Sequence, residues 1–210
     1  MLGDLATKYG TDKGPRGHNY TERYQIYLEA YRDLTFNLLE IGVFDGSSAR
    51  MWKEYFPKAN IVALDIDTRC KEYQEDRIEI RIGDQTDTSF LESVVQEFGH
   101  FEVIIDDGGH SYKQQIVSFE HLFPKLTPGG LYFVEDMHTS YARGSVWDDF
   151  STTGVEYFKR LVDYVNIQGK SFVGYSELPP NALNYLENNI DYLHYYRSLV
   201  AIGKRTSPIQ

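Results

Sequence analysis

The chain has 210 residues, 41% of them hydrophobic and 25% charged, a size that suits one globular domain and leaves no room for a second large one. Its formal charge of -10 and isoelectric point near 5.0 argue against a nucleic-acid partner, because phosphate binding draws on clustered Lys and Arg and no basic stripe is present. The start, Met1-Leu2-Gly3-Asp4-Leu5, has no apolar leader region and no stretch reaches bilayer length, so a soluble protein without membrane attachment is expected. The lone cysteine, Cys70, has no disulfide or CxxC partner and fits a reducing cytoplasm.

Residues 1–35 read as an N-terminal helical segment, with residues 1–20 a candidate lid. Short apolar runs then alternate with helical patterns. Asn37 to Ile41, Asn60 to Leu64, Ile78 to Ile82, Val103 to Ile105 and Leu131 to Val134 are brief, rich in β-branched or aromatic residues, and bounded by Gly, Asp or Pro. They predict buried parallel strands. Between them Ser47 to Tyr55, Ser89 to Phe98 and Tyr112 to Leu126 carry apolar residues at i, i+3 and i+4 spacing and predict helices. Residues 140–189 are read as an acceptor-side insertion and second lid candidate. Within it Val155 to Val165 predicts a helix, whereas 171–189, with Pro179-Pro180, look irregular. Ile190 to Tyr196 and Leu199 to Lys204 are strands whose short connection permits only an antiparallel pair. The expected fold is therefore α/β: a Rossmann-like, doubly wound, mostly parallel seven-stranded sheet ending in an antiparallel hairpin. Seventeen Tyr and twelve Phe, several of them after residue 140, suit either an acceptor pocket or a half-buried surface.

In an open parallel sheet ligands bind beyond the carboxyl ends of the strands, and here those ends are acidic. The first strand runs into Glu40-Ile41-Gly42-Val43-Phe44-Asp45-Gly46-Ser47-Ser48. Gly42 and Gly46 allow a tight turn and close backbone approach to a ligand, but the spacing is not the GxGxxG of a dinucleotide site. Asp65 closes the second strand, where an acid can accept the ribose hydroxyls of a nucleoside-containing cofactor. Asp84 and Gln85 close the third, placed for the adenine edge. A single acid after a strand is usually a solvated turn residue; three successive strand ends with the same habit point to a site.

The fourth and fifth strands end in Asp106-Asp107-Gly108-Gly109-His110 and Glu135-Asp136. If these strands are neighbours, Asp107, Glu135 and Asp136 meet at one edge. Carboxylates converging in a low-dielectric cleft repel one another unless a cation binds, and an all-oxygen set favours Mg²⁺, or Mn²⁺. Such an ion lowers the pKa of a hydroxyl placed on it, and His110 is positioned to take the proton near neutral pH. The plain alternative for His110 is a capping or core residue.

The combination of Leu39-Glu40-Ile41-Gly42, Ile104-Ile105-Asp106-Asp107-Gly108-Gly109-His110 and Val134-Glu135-Asp136 resembles the metal-dependent sugar O-methyltransferases of macrolide and related antibiotic pathways. Lys8-Tyr9-Gly10-Thr11-Asp12-Lys13, with His18 and Tyr20, is similar to the same group, and the match spans essentially the whole chain. The resemblance implies Asp107, Glu135 and Asp136 as metal ligands and His110 as general base. It implies Glu40, Gly42, Asp65 and Asp84 around S-adenosylmethionine, with Asp106 beside its methionine end. It further implies a glycoside acceptor, a cytoplasmic location and a homo-oligomer. Gly109 stands where the group commonly has Ser, and Met137-His138 where Gln is frequent; these differences bear on the acceptor. Some members carry an extra N-terminal domain, and this chain is expected to begin too close to its first strand to hold one. Competing readings are a nicotinamide oxidoreductase, a catechol-type O-methyltransferase, a cephalosporin hydroxylase-like protein and a non-catalytic cofactor-binding protein.

Overall fold

A computed structural model describes residues 1–166 and 183–208. Seven strands form one sheet in the order β3-β2-β1-β4-β5-β7-β6. They are β1 (Asn37–Ile41), β2 (Asn60–Asp65), β3 (Ile78–Ile82), β4 (Phe101–Asp106), β5 (Leu126–Val134), β6 (Ile190–Tyr196) and β7 (Leu199–Lys204). The first five are parallel; β7 pairs antiparallel with β5 and β6 antiparallel with β7. The order of strands reverses between β1 and β4. That reversal is the switch point at which the connecting loops diverge and a cleft opens.

The sheet is buried on both faces, which explains why its strands read as nearly unbroken apolar runs. Leu38, Val103 and Phe133 face one core, with residues of α1 (Leu2–Tyr9), α2 (Thr21–Leu28) and α3 (Ser47–Tyr55) packed on them. Leu39, Ile41, Ile104 and Tyr132 face the other, covered by α4 (Thr88–Phe98), α5 (Tyr112–Leu122) and α6 (Gly154–Val165). Side-chain caps start three of these helices. The Asp87 side chain accepts from Ser89 N at 2.9 Å, that of Thr153 from Glu156 N at 3.1 Å, and Ser111 forms a reciprocal capping box with Gln114.

Several element ends shift by one or two residues, β4 among them, and three stretches depart further from their sequence expectation. The helix expected to run from Tyr112 to Leu126 leaves α geometry at Leu122, because Pro124 cannot continue the hydrogen-bond ladder, and Phe123–Lys125 form a 3₁₀ turn. Strand β5 begins at Leu126 rather than Leu131. Thr127-Pro128-Gly129-Gly130 has the composition of a turn, yet it extends the strand across an irregularity in register between Phe101 and Val103 of β4. Of the stretch 171–189 expected to be irregular, residues 171–182 lie outside the described residues, and Tyr185–Asn189 is a short helix, α7. Its start is set by a second capping box, with Glu187 N donating to Asn184 Oδ1 and Asn184 N to Glu187 Oε2, each at 2.9 Å. Among the described residues, no helix is long and apolar enough to cross a membrane.

Gly42 decides how closely the ends of β1 and β4 approach. Its φ of 97° lies in the region that favours glycine, and a Cβ there would sit 2.1 Å from the carbonyl oxygen of Asp107. Gly42→Ala therefore has to push back the loop that carries Asp107. Thermal denaturation should show a loss of roughly 3 kcal/mol, a melting temperature lowered by about 6–12 °C. A wild-type melting curve would mean that the two loops are not locked together.

Candidate active site

A cleft of about 760 Å³ opens at the carboxyl ends of the strands. Gly42, Asp65, Asp84, Gln85, Asp107, His110 and Asp136 line it; Glu40, Asp106 and Glu135 do not. One wall is organised by Asp65. Its Oδ2 accepts from the backbone of Val43 at 2.9 Å and of Phe44 at 3.1 Å, and its Oδ1 from Asp67 N at 2.9 Å. Partial burial opposes ionisation, but these backbone N–H groups outweigh it and hold the carboxyl below its ordinary range. The Cys70 thiol is a further donor to the same carboxylate. Phe44, at φ 53°, depends on its bond to Asp65 to keep a left-handed backbone.

The next wall is tied together beneath the surface. Gln85 donates from Nε2 to Asp106 Oδ1 at 3.1 Å and accepts at Oε1 from Gly109 N at 2.9 Å, joining the end of β3 to the loop after β4. Asp106 is 2% exposed and accepts at Oδ2 from Ser118 and, at 3.3 Å, from Tyr132. Burial pushes its pKa up to about 6 against the opposing pull of the Ser118 and Gln85 hydrogen bonds. Asp106 thus braces the loops from below. Asp84 keeps its place by accepting from Thr86 N at 2.7 Å.

Asp107, His110 and Asp136 come together, with one donor atom from each falling inside a 4.8 Å group. His110 Nε2 is 3.6 Å from Asp136 Oδ2 and 3.9 Å from Asp107 Oδ1. Both His110 (φ 58°) and Asp136 (φ 54°) hold left-handed backbones, which cost a non-glycine residue about 1 kcal/mol or more each. The Thr139 hydroxyl reaches the carbonyls of both, at 2.8 and 3.0 Å, and fastens the two strained loops to one another. Two carboxylates and an imidazole, part-exposed at the cleft surface, have the donor chemistry to hold a divalent cation such as Mn²⁺ or Mg²⁺.

Glu135 lies outside that group. It is 1% exposed, 2.9 Å from Lys13 Nζ, and accepts the Tyr24 hydroxyl. Glu40, equally buried, accepts from Ser48 Oγ at 2.9 Å and Trp52 Nε1 at 3.0 Å; burial pushes its pKa up to about 7 although Lys13, Trp52 and Ser48 act in the other direction. Sequence reasoning gave no role to Lys13, Tyr20 or Tyr24. Tyr20 donates to Asp136 Oδ1 at 2.7 Å, and Lys13 donates to Asp107 across 94 residues of chain. The one signal for Lys13 and Tyr20 is the polar and aromatic run from Lys8 to Tyr20, whose spacing does not disclose a distant partner, and Tyr24 lies beyond it.

A family model described as a methyltransferase domain matches residues 39–137. The mycinamicin VI 2''-O-methyltransferase of Micromonospora griseorubida is 36% identical over 97% of this chain and 52% of its own length. The 8-demethyl-8-alpha-L-rhamnosyl tetracenomycin-C 2'-O-methyltransferase of Streptomyces olivaceus is 34% identical over 98% of this chain and 55% of its own. MycE, the methyltransferase of the mycinamycin pathway solved with Mg and SAH, superimposes with a TM-score of 0.85 over 97% of this chain and 54% of that one, at 36% identity. The chain is similar to these sugar O-methyltransferases. It spans about half the length of these relatives.

The buried Asp106 sets a pH dependence of stability. Its folded pKa of about 6 lies above the ordinary 3.8, so its contribution to stability is full below pH 4 and is lost as pH rises to 6. Asp106→Asn keeps an acceptor for Gln85 and removes the buried charge. The variant should show a flatter fall in stability between pH 4 and 6, by roughly 1–3 kcal/mol, when chemical denaturation is measured at each pH. An unchanged pH profile would place the Asp106 pKa near its ordinary value.

Proposed function

We propose that this chain is an S-adenosylmethionine-dependent, divalent-cation-assisted O-methyltransferase acting on a sugar hydroxyl of a glycosylated natural product. The observation that carries the reading is the Asp107–His110–Asp136 group, placed on the same cleft as Gly42, Asp65, Asp84 and Gln85. MycE, solved with Mg, SAH and mycinamycin VI, supports it at a TM-score of 0.85. The acidic balance of the chain favours a small-molecule partner over a nucleic acid.

S-adenosylmethionine supplies the methyl group as a sulfonium, and a divalent cation held by Asp107 and Asp136 would acidify the acceptor hydroxyl. The remaining work falls to the protein. Asp65 faces the cleft as the acceptor for a ribose hydroxyl, Asp84 and Gln85 close the adenine side, and Gly42 lets the backbone approach without a side chain between. His110 takes the hydroxyl proton at Nε2, so that the oxygen gains the methyl as the carbon–sulfur bond breaks. Holding both reactants on one rigid strand edge removes much of the entropic barrier. Glu135 braces the ligand loop from behind through Lys13, and we retain it as a third carboxylate able to serve the cation. A homo-oligomeric, cytoplasmic enzyme belongs to the same proposal.

A second reading of His110 is favoured by its 3.6 and 3.9 Å distances to Asp136 and Asp107: the imidazole is itself a metal donor. His110→Ala separates the two. As a base, its loss should lower kcat by roughly a hundredfold to ten-thousandfold, with unchanged affinity for S-adenosylhomocysteine and for Mn²⁺. A weakened Mn²⁺ affinity would make it a ligand. A capping or core residue would give near-normal kcat and a lower melting temperature.

The proposal as a whole is tested by incubating the protein with methyl-labelled S-adenosylmethionine, Mg²⁺ and a panel of glycosylated acceptors. Label should pass to a sugar hydroxyl, stop in excess EDTA and return with Mg²⁺ or Mn²⁺. Transfer that persists in EDTA would remove the metal from the mechanism, and binding of NAD in place of S-adenosylhomocysteine would overturn the cofactor assignment.

A further inference from the structure

Lys13 is the buried group that the reaction leaves unexplained. Its side chain is 1% exposed, and its ammonium sits among carboxylates from three adjacent strand ends. It donates to Asp107 Oδ2, lies 2.9 Å from Glu135 Oε1 and is 3.8 Å from Glu40 Oε1. Among the described residues, the other side chains that hydrogen-bond the Glu135 and Glu40 carboxylates are neutral donors: the Tyr24 hydroxyl, the Ser48 hydroxyl and the Trp52 indole. Among the described residues, the positive charge in contact with these buried carboxylates comes from Lys13. Asp107 is divided between two surroundings. Its Oδ2 belongs to Lys13, whereas its Oδ1 faces His110 and the cleft.

We propose that Lys13 is a built-in counter-cation, a positioning residue that holds Asp107 and Glu135 in place before the metal arrives and competes with the metal for them. The proposal rests on the reading of Asp107 and Asp136 as metal donors. Two physical consequences follow. An ammonium next to a divalent ion repels it through a medium of low dielectric constant, so Lys13 weakens metal binding while it preorganises the donors. Removing the ammonium leaves Glu135 with the neutral Tyr24 hydroxyl and Asp107 with His110, and a buried carboxylate stripped of its cation is destabilising unless another cation enters. A divalent ion at the same carboxylates can fill that need. The metal then becomes part of what keeps the protein folded, by linkage of binding to stability.

The experiment compares the full chain with Lys13→Met, which keeps length and apolar stem, in thermal melts with EDTA or with millimolar Mg²⁺. Mn²⁺ affinity is read in parallel by electron paramagnetic resonance. The proposal predicts a lower melting temperature for Lys13→Met in EDTA, recovered to near wild type by Mg²⁺, and Mn²⁺ binding tighter than wild type by roughly tenfold or more. A lysine that merely packs would give a loss that Mg²⁺ does not recover, with Mn²⁺ affinity unchanged or weaker, and that result overturns the proposal. Should Lys13→Met fail to fold in either condition, Lys13→Met/Glu135→Gln decides. Neutralising the stranded carboxylate should recover folding in EDTA, and failure to do so overturns the proposal. Wild-type protein that binds no Mn²⁺ would instead contradict the metal reading itself, a result distinguishable from failure of Mg²⁺ to recover the variant.

Discussion

Charge compensation at the carboxyl ends of β1, β4 and β5 governs the architecture of this site. Glu40, Asp106 and Glu135 leave water almost completely, and each is answered by a different device: hydroxyl and indole donors for Glu40, the Ser118–Gln85 network for Asp106, and Lys13 with Tyr24 for Glu135. Taking an ion out of water costs of order several kcal/mol, so these partners are conditions for the strands to end as they do. From the loops after β4 and β5, Asp107, His110 and Asp136 stay at the cleft surface and lie together. The buried carboxylates hold the loops, and the part-exposed ones are left for a ligand.

This division makes the N-terminal segment part of the site. Lys13, Tyr20 and Tyr24 reach carboxylates on loops about a hundred residues away, while Gly10, Thr11 and Asp12 line the cleft. On the outer side, Lys8 and Tyr9 both engage Glu54 of α3. The segment is therefore anchored at two points. The strained backbones of His110 and Asp136 are likewise fastened, through Thr139, before any ligand arrives.

The parts of the fold that could be read from the sequence are those in which local pattern and tertiary packing agree. Asn37–Ile41, Ile78–Ile82 and the hairpin strands Ile190–Tyr196 and Leu199–Lys204 fall where their apolar runs place them, as does the helix Ser47–Tyr55. Leu126 to Gly130 misleads because a Pro-Gly-Gly run is ordinarily a turn, and only pairing with the neighbouring strand extends it. At the site, strand-end logic brings Asp107 and Asp136 together because adjacent parallel strands must deliver their ends to one edge. The same logic cannot separate Glu135 from Asp136. Successive residues after a strand point to different sides, and which of them meets Lys13 depends on a segment more than a hundred residues earlier. Glu40 and Asp106 carry the same ambiguity, since an acid at a strand end can face the cleft or brace it from below.

The most direct test of this account is an anomalous difference map from a crystal of the protein grown with Mn²⁺ and S-adenosylhomocysteine. The account predicts a Mn²⁺ peak within bonding distance of Asp107 and Asp136, with the nucleoside lying along Asp65 and Asp84. A map with the nucleoside bound and no Mn²⁺ at these two carboxylates would contradict it.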